Sequence, residues 1–181
     1  MRRVAILLVA SLALGTGLVT AASPAFAAKK KKTAKITSCK ADKNLNVNVQ
    51  QAFIPFFVGT TAAEKVAKVK DGTKIQPSVE ISTAAAKAAG QSSASTVTIP
   101  VKVVATCDGK TGATFTYDLA LNQPPSAVSS PPATGAGLNF AGDAVLVKGV
   151  WLIDAVTICD LIGKNPNTPT LGADCTKAAT S

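Results

Sequence analysis

Three hydrophobic patterns succeed one another along the chain. From Asn44 to Val58, alternation at Leu45, Val47 and Val49 passes into the helical spacing of Val49, Phe53, Phe56 and Phe57. Pro55 marks a kink or boundary there, and Gly59 ends the segment. Thr61-Ala62-Ala63-Glu64 has the form of a capping box, in which a threonine oxygen and a glutamate carboxylate satisfy free amides at a helix start. It predicts a helix from Ala62 to Val69 that Asp71-Gly72 stops. A further helix is expected from Pro77 through Val79, Ile81 and Ala84 to Gly90.

After Gly90 the period shortens to two. Val97, Ile99, Val101 and Val103 share one face of an expected strand, and Pro100, which cannot donate to a ladder, points to an edge or a bulge. Asp108 to Gly112 is a turn. In the next strand Phe115, Tyr117, Leu119 and Leu121 share one side, and Thr114, Thr116 and Asp118 face solvent on the other. These two strands form a hairpin.

Residues 122–137 hold Pro124, Pro125, Pro131 and Pro132 among serines and glycines, and read as a long loop. Gly142 to Ile162 then carries two apolar runs joined at Lys148-Gly149, which predicts a second hairpin that closes the sheet, with Trp151 on its floor. Residues 163–181 read as an extended polar tail. Helices first and strands afterwards predict an α+β domain over 44–162, helices packed on a curved four-stranded antiparallel sheet.

The remaining apolarity lies upstream. Met1-Arg2-Arg3, the apolar run Val4 to Val19 and Ala25-Phe26-Ala27 make the three parts of a cleavable signal peptide over 1–27, so the exported chain begins near Ala28. Ile36-Thr37-Ser38-Cys39 imitates a lipidation site, but polar residues separate it from the apolar run, and lipidation is not expected. Of the formal net charge of +9, much sits in residues 28–43, where Lys29, Lys30, Lys31, Lys32, Lys35, Lys40 and Lys43 face only Asp42. Beyond Asn44 the charges nearly balance, which argues against a nucleic-acid-binding domain. The segment is expected to be disordered, and Lys29, Lys30, Lys31, Lys32 and Lys35 to be either a solvated leader or a tether to anionic envelope polymers or lipid head groups.

Cys39, Cys107, Cys159 and Cys175 make an even set in an exported chain and are expected to pair. Of the three pairings open to them, Cys159 with Cys175 closes a short loop and pins the tail, and Cys39 with Cys107 pins the N-terminal segment. A zinc site is disfavoured, since the chain has no histidine and no closely spaced cysteine pair. Without histidine, and without arginine beyond Arg3, the usual nucleophilic triads and bidentate phosphate clamps have no residues to be built from. No metal or cofactor is expected. Asp118, Asp143 and Asp154 remain as strand-borne carboxylates for acid–base work.

Taken in order, A-F-I-P-F-F-V-G-T-T-A-A-E-K-V-A-K-V-K-D-G (Ala52 to Gly72), two alternating strands, A-V-L-V-K-G-V-W (Ala144 to Trp151) and T-I-C-D-L (Thr157 to Leu161) resemble the actinobacterial low-molecular-weight secreted antigens, mycobacterial members included. The resemblance covers Asn44 to Ile162. It implies an NTF2-like or cystatin-like cone, in an exported, envelope-associated or secreted protein without an established enzymatic activity. The lysine-rich start, the insertion at 122–137 and the cysteines Cys39, Cys107 and Cys175 depart from the family pattern.

The leading expectation is a non-enzymatic exported domain that binds a partner or an apolar ligand at the cell envelope, with its site in the mouth of the cone, where Phe53, Phe57, Tyr117 and Trp151 converge. The competing expectation for these aromatics is that they fill the core. A hydratase- or isomerase-like enzyme with Tyr117 and Asp154 as its pair is the alternative.

Overall fold

A computed structural model describes residues 35–89, 96–165 and 168–181; the expected leader 1–27 and the expected tether residues Lys29 to Lys32 lie outside them. Residues Ala34–Ser181 form one compact unit. Helices α1 (Leu45–Val58), α2 (Ala62–Val66) and α3 (Gly72–Ala88) precede strands β1 (Val97–Asp108), β2 (Gly112–Gln123), β3 (Phe140–Val147) and β4 (Val150–Ile153). Helices α4 (Ala155–Gly163) and α5 (Leu171–Thr180) follow. The strands pair antiparallel in the order β1-β2-β3-β4. The fold is α+β, with helices on the inner face of a curled sheet.

Phe53, fully buried, is the centre of that packing. Its ring meets Phe115 and Tyr117 of β2 edge to face, with centroids 5.7 and 4.9 Å away, so α1 lies directly against the sheet. Helical burial of Val49, Ala52, Phe53 and Ile54 takes in the region that reads as alternating, and α1 starts at Leu45. Pro55 sits inside it without ending it. The capping box is formed: Thr61 Oγ1 accepts the Glu64 N–H at 3.2 Å, and Glu64 Oε2 accepts the Thr61 N–H at 3.1 Å. Helix α3 begins at Gly72, a turn before Pro77. Burial of Ile75 and Val79 outweighs the hydrogen bond that the proline forgoes.

The sheet curls because β1 is irregular. Its register against β2 shifts between Val97 and Ile99 and again between Val101 and Val104, where Lys102 has φ 51°. The second shift interrupts the simple alternation, so Val97, Ile99, Val101 and Val103 do not form one stripe. Val103 joins the main core, while Ile99 and Val101 share a face by register with Ala120 and Asp118. Both outer edges are occupied. Asn46 Oδ1 accepts the Ala105 N–H at 2.9 Å and Gln50 Nε2 donates to the Pro100 carbonyl at 2.7 Å. On the far side Ile153 bonds Lys68 and Lys70 through main-chain contacts of 2.9 and 2.8 Å.

Asp118 does not face solvent; it is 3 % exposed. Its carboxylate accepts the N–H groups of Leu119, Gly137 and Leu138 at 2.8, 2.7 and 3.0 Å, which fastens the proline-rich segment onto the outer face of β2. Alternation alone places the residue outward and does not show that a loop would return to cover it. The segment contains a 3-10 turn over Pro125–Val128.

The closing stretch also differs from a plain hairpin. Lys148 and Gly149, at φ 52° and 86°, make the tight turn between β3 and β4. After four strand residues Asp154 caps α4, accepting the Val156 N–H at 3.0 Å, and Ala155, Ile158, Cys159 and Ile162 turn inward at helical spacing. A continuous apolar run does not by itself distinguish strand from helix. Gly142 allows α4 to approach the sheet, since a Cβ there would overlap the Thr157 methyl. Residues 163–181 are likewise not an extended tail, because they contain α5, which packs on α3 and α4.

The disulfides are Cys39–Cys107 and Cys159–Cys175, closing separations of 68 and 16 residues. Each contributes about 2–4 kcal/mol by restricting the unfolded chain. Residues 38–42 are drawn into the body by the first of them and by Asp42, whose Oδ2 accepts the Trp151 Nε1–H at 2.8 Å.

The three N–H groups on Asp118, the Leu138 amide foremost, hold its carboxyl below the ordinary value of 3.8 despite burial, with Lys102 adding at 3.8 Å. The stabilisation is therefore present above the ordinary carboxylate pKa and is lost as pH falls through the lowered one. Asp118→Asn is expected to melt at a lower temperature than the parent at neutral pH, with the gap closing on acidification below 3.8. Thermal melts followed by circular dichroism across pH check this; a gap independent of pH contradicts it.

Candidate functional site

The inner face of the sheet is not covered along its whole length. α1 ends at Val58, while β2 continues to Gln123, and the overhang borders a groove of about 450 Å³ between α1, α3, β2, β3 and α4. Phe56, Phe57, Leu121, Phe140 and Leu161 form its apolar walls, and Lys164 and Asn165 stand among them at the end of α4. A neighbouring recess of about 150 Å³ shares Phe56 and Ile162 with it and adds Lys65. The volume lies in the range of small-molecule pockets.

The walls are positioned by the core. Phe53 contacts Phe57 edge to face at 5.0 Å, and Tyr117 stacks on Phe140 at 5.3 Å, so the groove rings are an extension of the buried aromatic cluster. Two cations attend it. Lys164 Nζ stands 4.8 Å from the Phe140 ring centroid on an exposed side chain. Lys65 Nζ donates to the Phe56 carbonyl at 3.0 Å, serving a free group at the end of α1, and burial pushes its pKa down.

Of the four aromatics expected to converge on a pocket, only Phe57 lines the groove. Phe53, Tyr117 and Trp151 are 0, 3 and 3 % exposed and belong to the core. Trp151 is at the other end of the sheet, bonded to Asp42, and borders a separate recess of about 230 Å³ with Ile36, Asn48, Gln51 and Val150. Phe56, Leu121, Phe140 and Lys164 are the residues that sequence reasoning missed. The available signal was weak: Phe140 starts its strand directly after the irregular segment, where alternation has only begun.

Tyr117 and Asp154 have separate tasks, the one within the aromatic core and the other at the cap of α4. Burial, and then the charge of Asp160, push the Tyr117 phenol well above its ordinary pKa. Asp143 borders another recess, of about 380 Å³, on the outer face with Thr106, Thr114 and Asp160. Its carboxyl is pushed up by burial and by Asp154, Asp108 and Asp160. Among the described residues no group of three or more acidic or cysteine side chains is placed to hold a metal ion.

No protein-family model, characterised protein or solved structure matches the chain. Two disulfides fit an oxidising, extracytoplasmic environment, and no helix among the described residues is long and apolar enough to cross a membrane.

Tyr117 is the sole tyrosine, so its titration is directly readable. Because its folded pKa is raised, folding loses stability as pH climbs past the ordinary 10.0, and tyrosinate forms only as the chain unfolds. Absorbance near the tyrosinate maximum is expected to rise together with loss of the circular dichroism signal. Tyrosinate appearing at its ordinary pKa in a folded chain contradicts the buried placement.

Proposed function

We propose that this chain is an exported, non-enzymatic binding domain that takes a single-chain amphiphile with an anionic head group into the groove at the open end of its sheet. The observation that carries the reading is Lys164, poised over the Phe140 ring where the apolar walls reach solvent. An acyl chain gains about 0.8 kcal/mol for each methylene that it buries against Phe57, Leu121 and Phe140, and an ammonium at the rim favours a carboxylate or phosphate head. Export is supported by the leader pattern of residues 1–27 together with the two disulfides. The resemblance to the actinobacterial secreted antigens agrees with an envelope-associated or secreted site of action.

Dodecanoate and dodecanol serve as probes in titration calorimetry. The parent is expected to bind dodecanoate saturably and more tightly than dodecanol. Leu121→Asp, at a position 46 % exposed, is expected to weaken both by at least about tenfold while leaving the fold intact. Lys164→Gln is expected to weaken dodecanoate about three- to fivefold and leave dodecanol unchanged. Absence of saturable binding in the parent, or binding unaffected by Leu121→Asp, contradicts the reading.

A further inference from the structure

The end of the molecule opposite the groove gathers every short turn of the sheet. Gly112 pairs with Val145 and Val147 with Val150, and the Leu146 N–H reaches the Thr111 carbonyl at 2.7 Å, so the β1–β2 and β3–β4 turns lie side by side. The N-terminal segment joins them: the Cys39 N–H bonds the Lys110 carbonyl at 2.8 Å, and Lys35 and Ile36 pack against Gly149. Ile36, Lys68, Gly149 and Val150 border one recess there.

The charged side chains brought together are mostly lysines. Lys35, Lys40, Lys43, Lys68, Lys110 and Lys148 are all exposed at this end. Against them stand Asp108 and Asp42. Burial raises the pKa of Asp42, but hydrogen bonds from Asn48, the Asn44 N–H and Trp151 lower it by more, so it stays ionised with its oxygens occupied inward. Between the lysines two valines project from the turn, Val147 at 38 % and Val150 at 45 % exposure, and Val47 in the first turn of α1 is 55 % exposed. Apolar tips among exposed ammonium groups match a surface that is anionic outside and apolar beneath.

We infer that this turn end docks on an anionic lipid surface, the lysines meeting head groups and the Val147-Val150 tip entering the interface. A soluble polyanion would use the lysines alone. A lipid surface uses both, and it leaves the ligand groove at the far end open to solvent. The inference does not depend on what the groove binds.

The test uses the chain from Ala28 onward, which keeps the whole compact unit, and vesicles of phosphatidylglycerol mixed with phosphatidylcholine. Cosedimentation is expected with these vesicles, to weaken with added salt and to be absent from pure phosphatidylcholine. Lys43→Gln, Lys110→Gln and Lys148→Asn together are expected to lower partitioning by on the order of a hundredfold, roughly fivefold for each lysine. Asparagine suits the left-handed backbone at Lys148. Lys43→Glu, just before α1, gives a second loss in a variant whose new charge favours the helix start. Val147→Ser with Val150→Ser is expected to weaken vesicle binding severalfold with dextran sulfate binding unchanged. Parent-level binding in the lysine variants, with loss only when residues 28–34 are removed, would overturn the inference. So would vesicle binding indifferent to the valine changes, the mark of a polyelectrolyte partner.

Discussion

Phe53 is the contact on which the arrangement depends. A fully buried ring on one face of α1 meets two rings of β2 and two of its own helix, and this fixes how far along the sheet the helix reaches. Because α1 stops at Val58, the aromatic cluster does not end inside the core. It runs out through Phe57 and through Tyr117 to Phe140, where the rings become walls of the groove. Core and site are therefore one packing unit, and the rings at the rim inherit their placement from a ring that never meets solvent.

Two aspartates divide the remaining work. Asp42 ties the N-terminal segment and α1 to β4 through Asn48 and Trp151, and Asp118 ties the proline-rich segment to β2 through main-chain N–H groups. In each case a single carboxylate fastens an irregular stretch that has little hydrophobic pattern of its own. The disulfides act on the same principle, one on the segment before α1 and the other on α5. The result is a molecule with chemically distinct ends, basic turns at one and an apolar mouth at the other.

Much of the frame is legible in the residues. The spacing of Val49, Phe53 and Phe57, the Thr61–Glu64 box and the alternation from Phe115 to Leu119 each reflect a local cause, and each yields its element, though the helix after the box ends at Val66 and Val69 instead bridges to Ile153. What is not legible depends on a distant partner. Asp118 reads as solvent-facing because its three amide donors include two from residues nearly twenty positions away. Pro100 correctly points to an edge strand with a bulge nearby, but nothing in the valine run tells that the bulge at Lys102 breaks the stripe from Val97 to Val103. Asp154 carries a capping oxygen, yet a preceding strand and an apolar run hide the helix that it starts. Trp151 reads as the floor of the cone, whereas its indole N–H bonds Asp42 and its ring borders a recess at the turn end, apart from the groove. The groove has the weakest signature of all, because it arises where one element ends before another.

In the proposed function, the mouth bounded by Phe57, Leu121, Phe140 and Lys164 holds the ligand. An amide chemical-shift titration of the chain with dodecanoate tests it most directly. Saturable shifts are expected, concentrated at those four residues and their neighbours on α4, with the amides around Lys35, Gly149 and Trp151 unmoved. Shifts confined to the turn end, or scattered without saturation, would contradict it.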